Sequence, residues 1–373
     1  MSITKTFTAV SILIGTIIGA GVLGIPYVVM RSGFSIGVFH LILVFIIMTI
    51  TMLYLGEIGL RTKKNHQLTG YASLYLGKKG KLIMIIAFAF GIYSAMLAYL
   101  IGEGESLSHI FFNNASYTLH FGIAFWLFLS FLNYFGMKAL ESGEKYGISL
   151  IIILITSIVI FAWNKIDVSN LTYTNPGNFF IPFGVIVFAY LGFSAVPQLE
   201  RALNKHKKLT KSSIIIANIL VLIIYTIFAA VVLGFKGSST PEIATIALGK
   251  IFIILGMLTI FTSHLALSIA LIETLRYDYY INKNKAWLIT IIPPLIAFIL
   301  LEFLNIGSFT KVLGIGGIIS GGLEAILILL MVKHAKTKGQ RRPEYSIPYH
   351  SIIIWILAIL FIIGAVFEIM NTI

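Results

Sequence analysis

The stretch Gly15-Thr16-Ile17-Ile18-Gly19-Ala20-Gly21-Val22-Leu23-Gly24-Ile25-Pro26 holds the residues best suited to chemistry. Glycine weakens a helix by about 1 kcal/mol relative to alanine. Here two glycines flank a small residue in the middle of an apolar run, and Gly24 and Pro26 follow. Unwinding at this point frees N–H groups and exposes the positive end of the next half-helix, an arrangement that binds a carboxylate. It also frees carbonyls that can face a cation. Thr16, Gly19, Ala20 and Gly21 are therefore candidates for holding a substrate, and Ile18 for holding an ion. A second role fits the same residues, because Gly15 and Gly19 form a GxxxG pair suited to helix packing.

A similar interruption lies at Phe188-Ala189-Tyr190-Leu191-Gly192-Phe193-Ser194-Ala195-Val196-Pro197-Gln198. Small and polar residues again sit in the middle of an apolar run, with Pro182 near its start. Phe188, Tyr190, Gly192 and Phe193 are candidates for the wall of a site, joined by Tyr99 and Tyr93, and aromatic walls suit an apolar or aromatic ligand. Thr259, Thr262, Ser263 and Ala266 fall at i, i+3, i+4 and i+7, one small polar face on an apolar helix. Their hydroxyls offer the neutral oxygens that hard cations prefer, and they equally suit back-bonding and helix packing. Glu103 and Glu105 suit a cation or ammonium site or a solvated vestibule. His264 and Glu324 are lone polar residues suited to interhelical hydrogen bonds.

These residues need a bilayer around them. The chain of 373 residues is 58% hydrophobic and 11% charged, against roughly 25% charged in soluble domains. Apolar blocks long enough to span, about 20 residues, recur from end to end. Eleven spans are predicted, near 6–30, 34–60, 82–111, 120–140, 146–164, 179–203, 212–235, 248–275, 286–304, 308–333 and 350–371. The segment 66–81 is too polar to span and reads as an interfacial helix.

The basic residues check this count. With a cytoplasmic N-terminus, 22 of the 27 Lys and Arg residues fall in cytoplasmic segments, and no reversal of sign occurs along the chain. Among them are Lys5, Lys138, Lys145 and Lys207. The exceptions are Arg31, Lys165, Lys236, Lys250 and Lys311. The C-terminus is then external. The net charge of +13 belongs to this bias and not to nucleic-acid binding. Absence of cysteine excludes disulfides, thiolate metal sites and cysteine nucleophiles. The first apolar block lacks a cleavage pattern and reads as a membrane helix, not a cleaved signal.

Spans one and six occupy matching places in two five-helix halves, and paired interruptions of this kind point to a transporter's binding site. Gly15 to Tyr27 closely resembles the first-helix signature of the amino acid/auxin permease family, within the amino acid–polyamine–organocation superfamily. Leu53-Tyr54-Leu55-Gly56-Glu57, Leu68-Thr69-Gly70-Tyr71-Ala72 with Tyr75-Leu76-Gly77, and the run from Phe193 to Glu200 are similar in kind. The resemblance implies an all-α integral membrane protein with a LeuT-like fold. Inverted repeats of five helices would cover 5–164 and 179–334 within a core of 1–334. A cytoplasmic loop and an eleventh helix would follow over 335–373.

It further implies a multi-pass plasma-membrane carrier of amino acids that works by alternating access and needs no cofactor beyond a coupling ion, Na⁺ or H⁺. Thr262-Ser263 resembles the Thr-Ser pair that binds Na⁺ in sodium symporters of this fold. Some proton-coupled relatives place a lysine in mid-span five, whereas Ile148 to Thr156 contains none. Na⁺ is favoured on that ground, and Glu103 and His264 keep H⁺ open. Lys5, with Glu273 and Asp278 at the same end, would form an inner gate. No phosphate loop, zinc motif or serine elbow marks an enzyme. A solute channel and a sensor built on a transporter fold are the alternatives. Oligomeric state and the choice of amino acid are not written in the sequence.

Overall fold

The computed structural model describes residues 2–135 and 143–370, with side chains over 4–134, 152–368 and at 370. Lys138, and the side chains of Lys145 and of Ile148 to Ile151, lie outside that description. The described residues are helical almost throughout, and their one isolated β-bridge joins Gly33 to Thr174.

The first apolar run is two helices. α1 (Ser2–Ile17) stops before Gly19, a tight turn covers Ala20–Gly24, and α2 (Ile25–Ser32) restarts with Pro26 in its first turn. Proline is favoured there because its missing N–H would have no helical partner anyway. The two parts are bent by 53°. α3 (Phe34–Arg61) and α4 (Leu68–Phe112) follow. α4 contains the expected interfacial helix. The two segments meet at Gly77, where φ of 72° is a left-handed conformation that glycine adopts without a Cβ clash. α5 (Thr118–Phe135) and α6 (Gly143–Ala162) complete this part of the chain.

The sixth apolar run is also split. α7 (Ile181–Ala189) and α8 (Ala195–Leu203) flank non-helical residues 190–194. Long helices come next, α9 (Thr210–Lys236), α10 (Lys250–Tyr277) and α11 (Lys283–Phe303). The glycine-rich tenth run reads as α12 (Phe309–Gly316), a π-helical turn over Gly317–Gly321, and α13 (Gly322–Lys338). α14 (Ile352–Met370) is last.

Among the described residues, six helices are long and apolar enough to cross a membrane, and the bent pair 4–17 with 20–32 adds a seventh crossing if taken as one. Shorter apolar helices cover Thr118–Tyr134, Ile152–Lys165 and Ile352–Glu368. The outward faces are apolar, as at Ile83, Ile86, Phe128, Ile223, Ile296 and Ile359, which suits lipid as the surrounding solvent.

One end of the bundle is closed by a strap between α13 and α14. Glu57, wholly buried near the end of α3, accepts from Arg61 at 2.8 Å, Lys336 at 2.7 Å, Ser346 at 2.8 Å and the Ile347 N–H at 2.9 Å. Tyr345 donates to the Leu53 carbonyl at 2.7 Å and Tyr54 to that of Pro348 at 2.8 Å. Burial pushes the Tyr345 phenol up, so it remains a donor.

Candidate functional site

Both helix breaks open onto one cavity of about 1240 Å³. α1, the unwound residues Gly19 and Gly21, the middle of α4, the 188–194 break, α10 and the π-turn line it. It reaches Thr6 and Phe7 in the first turns of α1 and Gln198 in α8, so it extends toward the end of the bundle that carries the N-terminus. Phe309, which is not part of the lining, packs against Gly24 and Gly102: a Cβ on Gly102 would lie 3.1 Å from its ring, and one on Gly24 would lie 3.5 Å from it. Glu242 holds the start of α12 by accepting from the Ser308 hydroxyl at 2.8 Å and the Thr310 N–H at 3.0 Å.

Gly19 is extended, with φ of −104° and ψ of −162°. A Cβ there would lie 3.4 Å from Ser263 Oγ and 3.6 Å from the Tyr99 hydroxyl. That hydroxyl is in hydrogen-bonding reach of the Ala20 backbone and of Ser263. A Cβ on Gly21 would meet Phe188 Cδ1 at 3.0 Å. The unwound backbone of span one, an aromatic of span six and a hydroxyl of α10 thus meet at one point.

Of the expected substrate residues, Thr16, Gly19, Gly21, Tyr99, Phe188, Gly192 and Phe193 line the cavity. Ala20 and Tyr190 do not. Ala20 is enclosed in the turn, and the Tyr190 ring turns away to pack edge-on against Tyr225, 5.3 Å between centroids. Thr262 and Ser263 line the cavity. Thr259 and Ile18 are buried off it, and the Thr259 hydroxyl donates back to the Leu255 carbonyl at 3.0 Å. Of the residues expected to form an inner gate, Asp278 accepts from Thr69, and Lys81 reaches its carbonyl at 3.0 Å. Asp278 is therefore tied to the interfacial segment of α4 and not to Lys5. Glu273 stands on the preceding turn of α10, whose Ala270 lines the cavity.

The tryptophan/tyrosine permease family matches residues 2–368 of this sequence. The chain belongs to that family. Across 90% of both chains it is 24% identical to "Glutamine transporter 2" of Aliivibrio fischeri. It is 22% identical to the "Tryptophan-specific transport protein" of Shigella flexneri over 91% of this chain and 88% of that one. It is also 22% identical to "Tyrosine-specific transport system 1" of Haemophilus influenzae, over 60% of this chain and 56% of that one. These are transport proteins, and the permease is not an enzyme. An amino acid transporter family is what the sequence resemblance implied, and the family that matches is the tryptophan/tyrosine permease family.

In this permease, three intramembrane ionisable residues differ in what they face. Glu103 on α4 and His264 on α10 are buried, line no part of the cavity, and their polar side-chain atoms have no hydrogen-bond partner among the described residues. The His264 ring lies 6.4 Å from that of Tyr99 and 5.9 Å from that of Phe125. Glu324 does line the cavity and accepts from Ser320 at 3.1 Å.

Two functional contributions escaped the sequence reading. Tyr225 joins the broken ends of both split spans through its hydroxyl, and a tyrosine inside an apolar run gives no sign of that. Ser320 lies four residues before Glu324, a helical i, i+4 spacing that does flag the pair.

Proposed function

We propose that the permease is a secondary carrier of amino acids that works by alternating access around this cavity. The observation that carries the reading is the meeting of Gly19, Gly21, Phe188 and Ser263 on the wall of one cavity. The substrate carboxylate takes the backbone N–H groups of the unwound segment and the positive end of the turn and helix that follow. The aromatic wall of Phe188 and Phe193 takes its side chain. The coupling ion sits at the boundary of spans one and eight, where Thr262 and Ser263 add hydroxyl oxygens, and Na⁺ is favoured over H⁺.

In this reading the chain makes eleven crossings. The first ten are two inverted halves, 5–164 and 179–334, and the eleventh follows the cytoplasmic strap. The N-terminus is cytoplasmic and the C-terminus external. The cavity then faces inward. Lys5 and Glu273 flank the inner mouth and bias its closing by about 1 kcal/mol or less, as partly exposed pairs do.

Uptake of glutamine, tyrosine and tryptophan into proteoliposomes under imposed ion gradients tests the function. Concentrative uptake of at least one is expected. Binding without flux would make the protein a sensor, and passive flux without gradient coupling would make it a channel. A single cysteine placed at Lys207, in a chain with none of its own, tests the topology. It should resist an impermeant reagent applied from outside.

A further inference from the structure

Among the polar groups that line the cavity are two clusters on opposite sides of an apolar stretch of α4. One is the Gly19–Tyr99–Ser263 cluster at the unwound segment. The other is Ser320 with Glu324, carried by the π-helical turn and the first turn of α13. π-turns inside helices occur frequently at functional sites. Gly91 of α4 places the second cluster, because a Cβ at that position would run into Ser320, with its Cβ 2.9 Å away. Gly91 and Tyr99 are separated by two turns of one helix, about 12 Å along its axis. Between them α4 lines the cavity with the apolar residues Ile92 and Ala95.

Glu324 is the only carboxyl among the described lining residues, and no described Lys, Arg or His lines the cavity. One of its oxygens accepts from Ser320. A carboxyl in such a place accepts from what enters the cavity, and when protonated it can also donate to it. Carboxyl groups inside a membrane protein are costly, and functional roles are the default explanation for them.

We propose that Ser320 and Glu324 form a side-chain subsite that accepts a hydrogen bond from the far tip of the substrate. The substrate class is then amino acids whose side chains are long and end in an N–H or O–H donor. This rests on the reading that the unwound segment holds the substrate carboxylate. With a hydrogen bond of about 2.9 Å at each end, a gap of two helical turns suits a long side chain and leaves alanine or serine unable to reach both clusters. Glu324 is the specificity-determining group and Ser320 its positioning residue. Hydrogen bonds to an ionised acceptor are about twice as strong as neutral ones. A site built to receive a donor strongly rejects the analogue that lacks it.

Matched ligands test the subsite in full-length protein reconstituted in nanodiscs. Equilibrium binding is measured for L-tyrosine against L-phenylalanine and for L-glutamine against L-methionine, in wild type, Glu324→Leu, Glu324→Gln and Ser320→Ala. The wild type should prefer the donor-bearing member of at least one pair by tenfold or more. That ratio should fall toward one in Glu324→Leu and by several-fold in Ser320→Ala. If Glu324→Leu does not fold, Glu324→Gln and Ser320→Ala carry the test through the same ratio. A wild-type ratio near one in both pairs, or a ratio unchanged in the folded variants, overturns the subsite and leaves the carrier reading standing. Failure of every amino acid to bind the wild type overturns both.

Discussion

The Tyr225 hydroxyl donates to the Ala189 carbonyl at 2.8 Å and lies 3.2 Å from that of Ile17. Ala189 ends α7 and Ile17 ends α1, so one phenol stands at the carbonyl ends of both broken helices. A helix terminus leaves its last carbonyls without helical partners, and lipid offers no water to replace them. Tyr225 supplies a donor to the Ala189 carbonyl, and the Ile17 carbonyl beside it also accepts from the Gly19 N–H at 2.9 Å. The edge-on packing of Tyr190 against it holds the ring in place.

Tyr225→Phe keeps that ring and removes the donor. Leaving a buried carbonyl unsatisfied costs about 1–3 kcal/mol, so the thermal midpoint of the purified protein should fall. Substrate uptake should fall with it, because the geometry of both breaks relaxes together. An unchanged midpoint would mean that the Ala189 carbonyl finds another partner.

The two glycines of the first break should separate binding from folding. A methyl at Gly19 would lie at ordinary contact distance from Ser263 and Tyr99, whereas one at Gly21 would press on Phe188 at 3.0 Å and on the Ala189 backbone at 3.3 Å. Gly19→Ala should fold and lose affinity roughly tenfold, about 1.4 kcal/mol, because its methyl screens the backbone from the ligand. Gly21→Ala should lower both affinity and stability. Gly19→Leu, which fills the space before Tyr99, should abolish binding. Isothermal binding and thermal unfolding, measured side by side, distinguish these outcomes.

Helix interruption is legible in a sequence where composition causes it. Gly19, Gly21, Pro26 and Pro182 mark the starts and stops because glycine and proline act on the local backbone. The direction of a side chain beside a break is not legible. Phe188 and Tyr190 lie two residues apart, one lining the cavity and the other packed on Tyr225, and no helical period carries across residues 190–194. Thr259 fails for a related reason. It shares a face with Ser263 by spacing, yet packing closes that face one turn before the cavity begins. Glu57 belongs to a motif, Leu53 to Glu57, that resembles a family pattern. Its physical reason, a strap from beyond residue 338 docking on it, depends on contacts nearly 300 residues apart in sequence and shows only in three dimensions.

Glu57 should therefore matter to stability more than to binding. Its carboxylate gathers Arg61, Lys336, Ser346 and the Ile347 N–H. Removing one partner from a buried charged cluster costs about 3–5 kcal/mol. Glu57→Ala should lower the thermal midpoint sharply and free the strap, so that trypsin cuts faster after Arg341. Equal cutting rates in the variant and wild type would show that Tyr345 and Tyr54 hold the strap without it.

The coupling ion gives the last test. Of the residues expected to bind it, Thr262 and Ser263 alone keep hydroxyls on the cavity wall. Thr262 uses its proton to reach the Thr259 carbonyl at 3.0 Å, which leaves its oxygen lone pairs available. Ser263 sits against Gly19 and Tyr99, beside the unwound backbone whose carbonyls would complete the shell. A hard cation needs several such oxygens, and Thr259, turned toward Leu255, is not among them. Thr262→Val combined with Ser263→Ala preserves shape and removes both oxygens. Uptake driven by a sodium gradient at fixed pH should be lost in this double variant, while Thr259→Val should retain it. If uptake ignores sodium and follows an imposed pH gradient in the wild type, the ion is a proton, and Glu103, His264 and Glu324 become the residues to vary. If sodium dependence survives the double substitution, the ion binds away from α10.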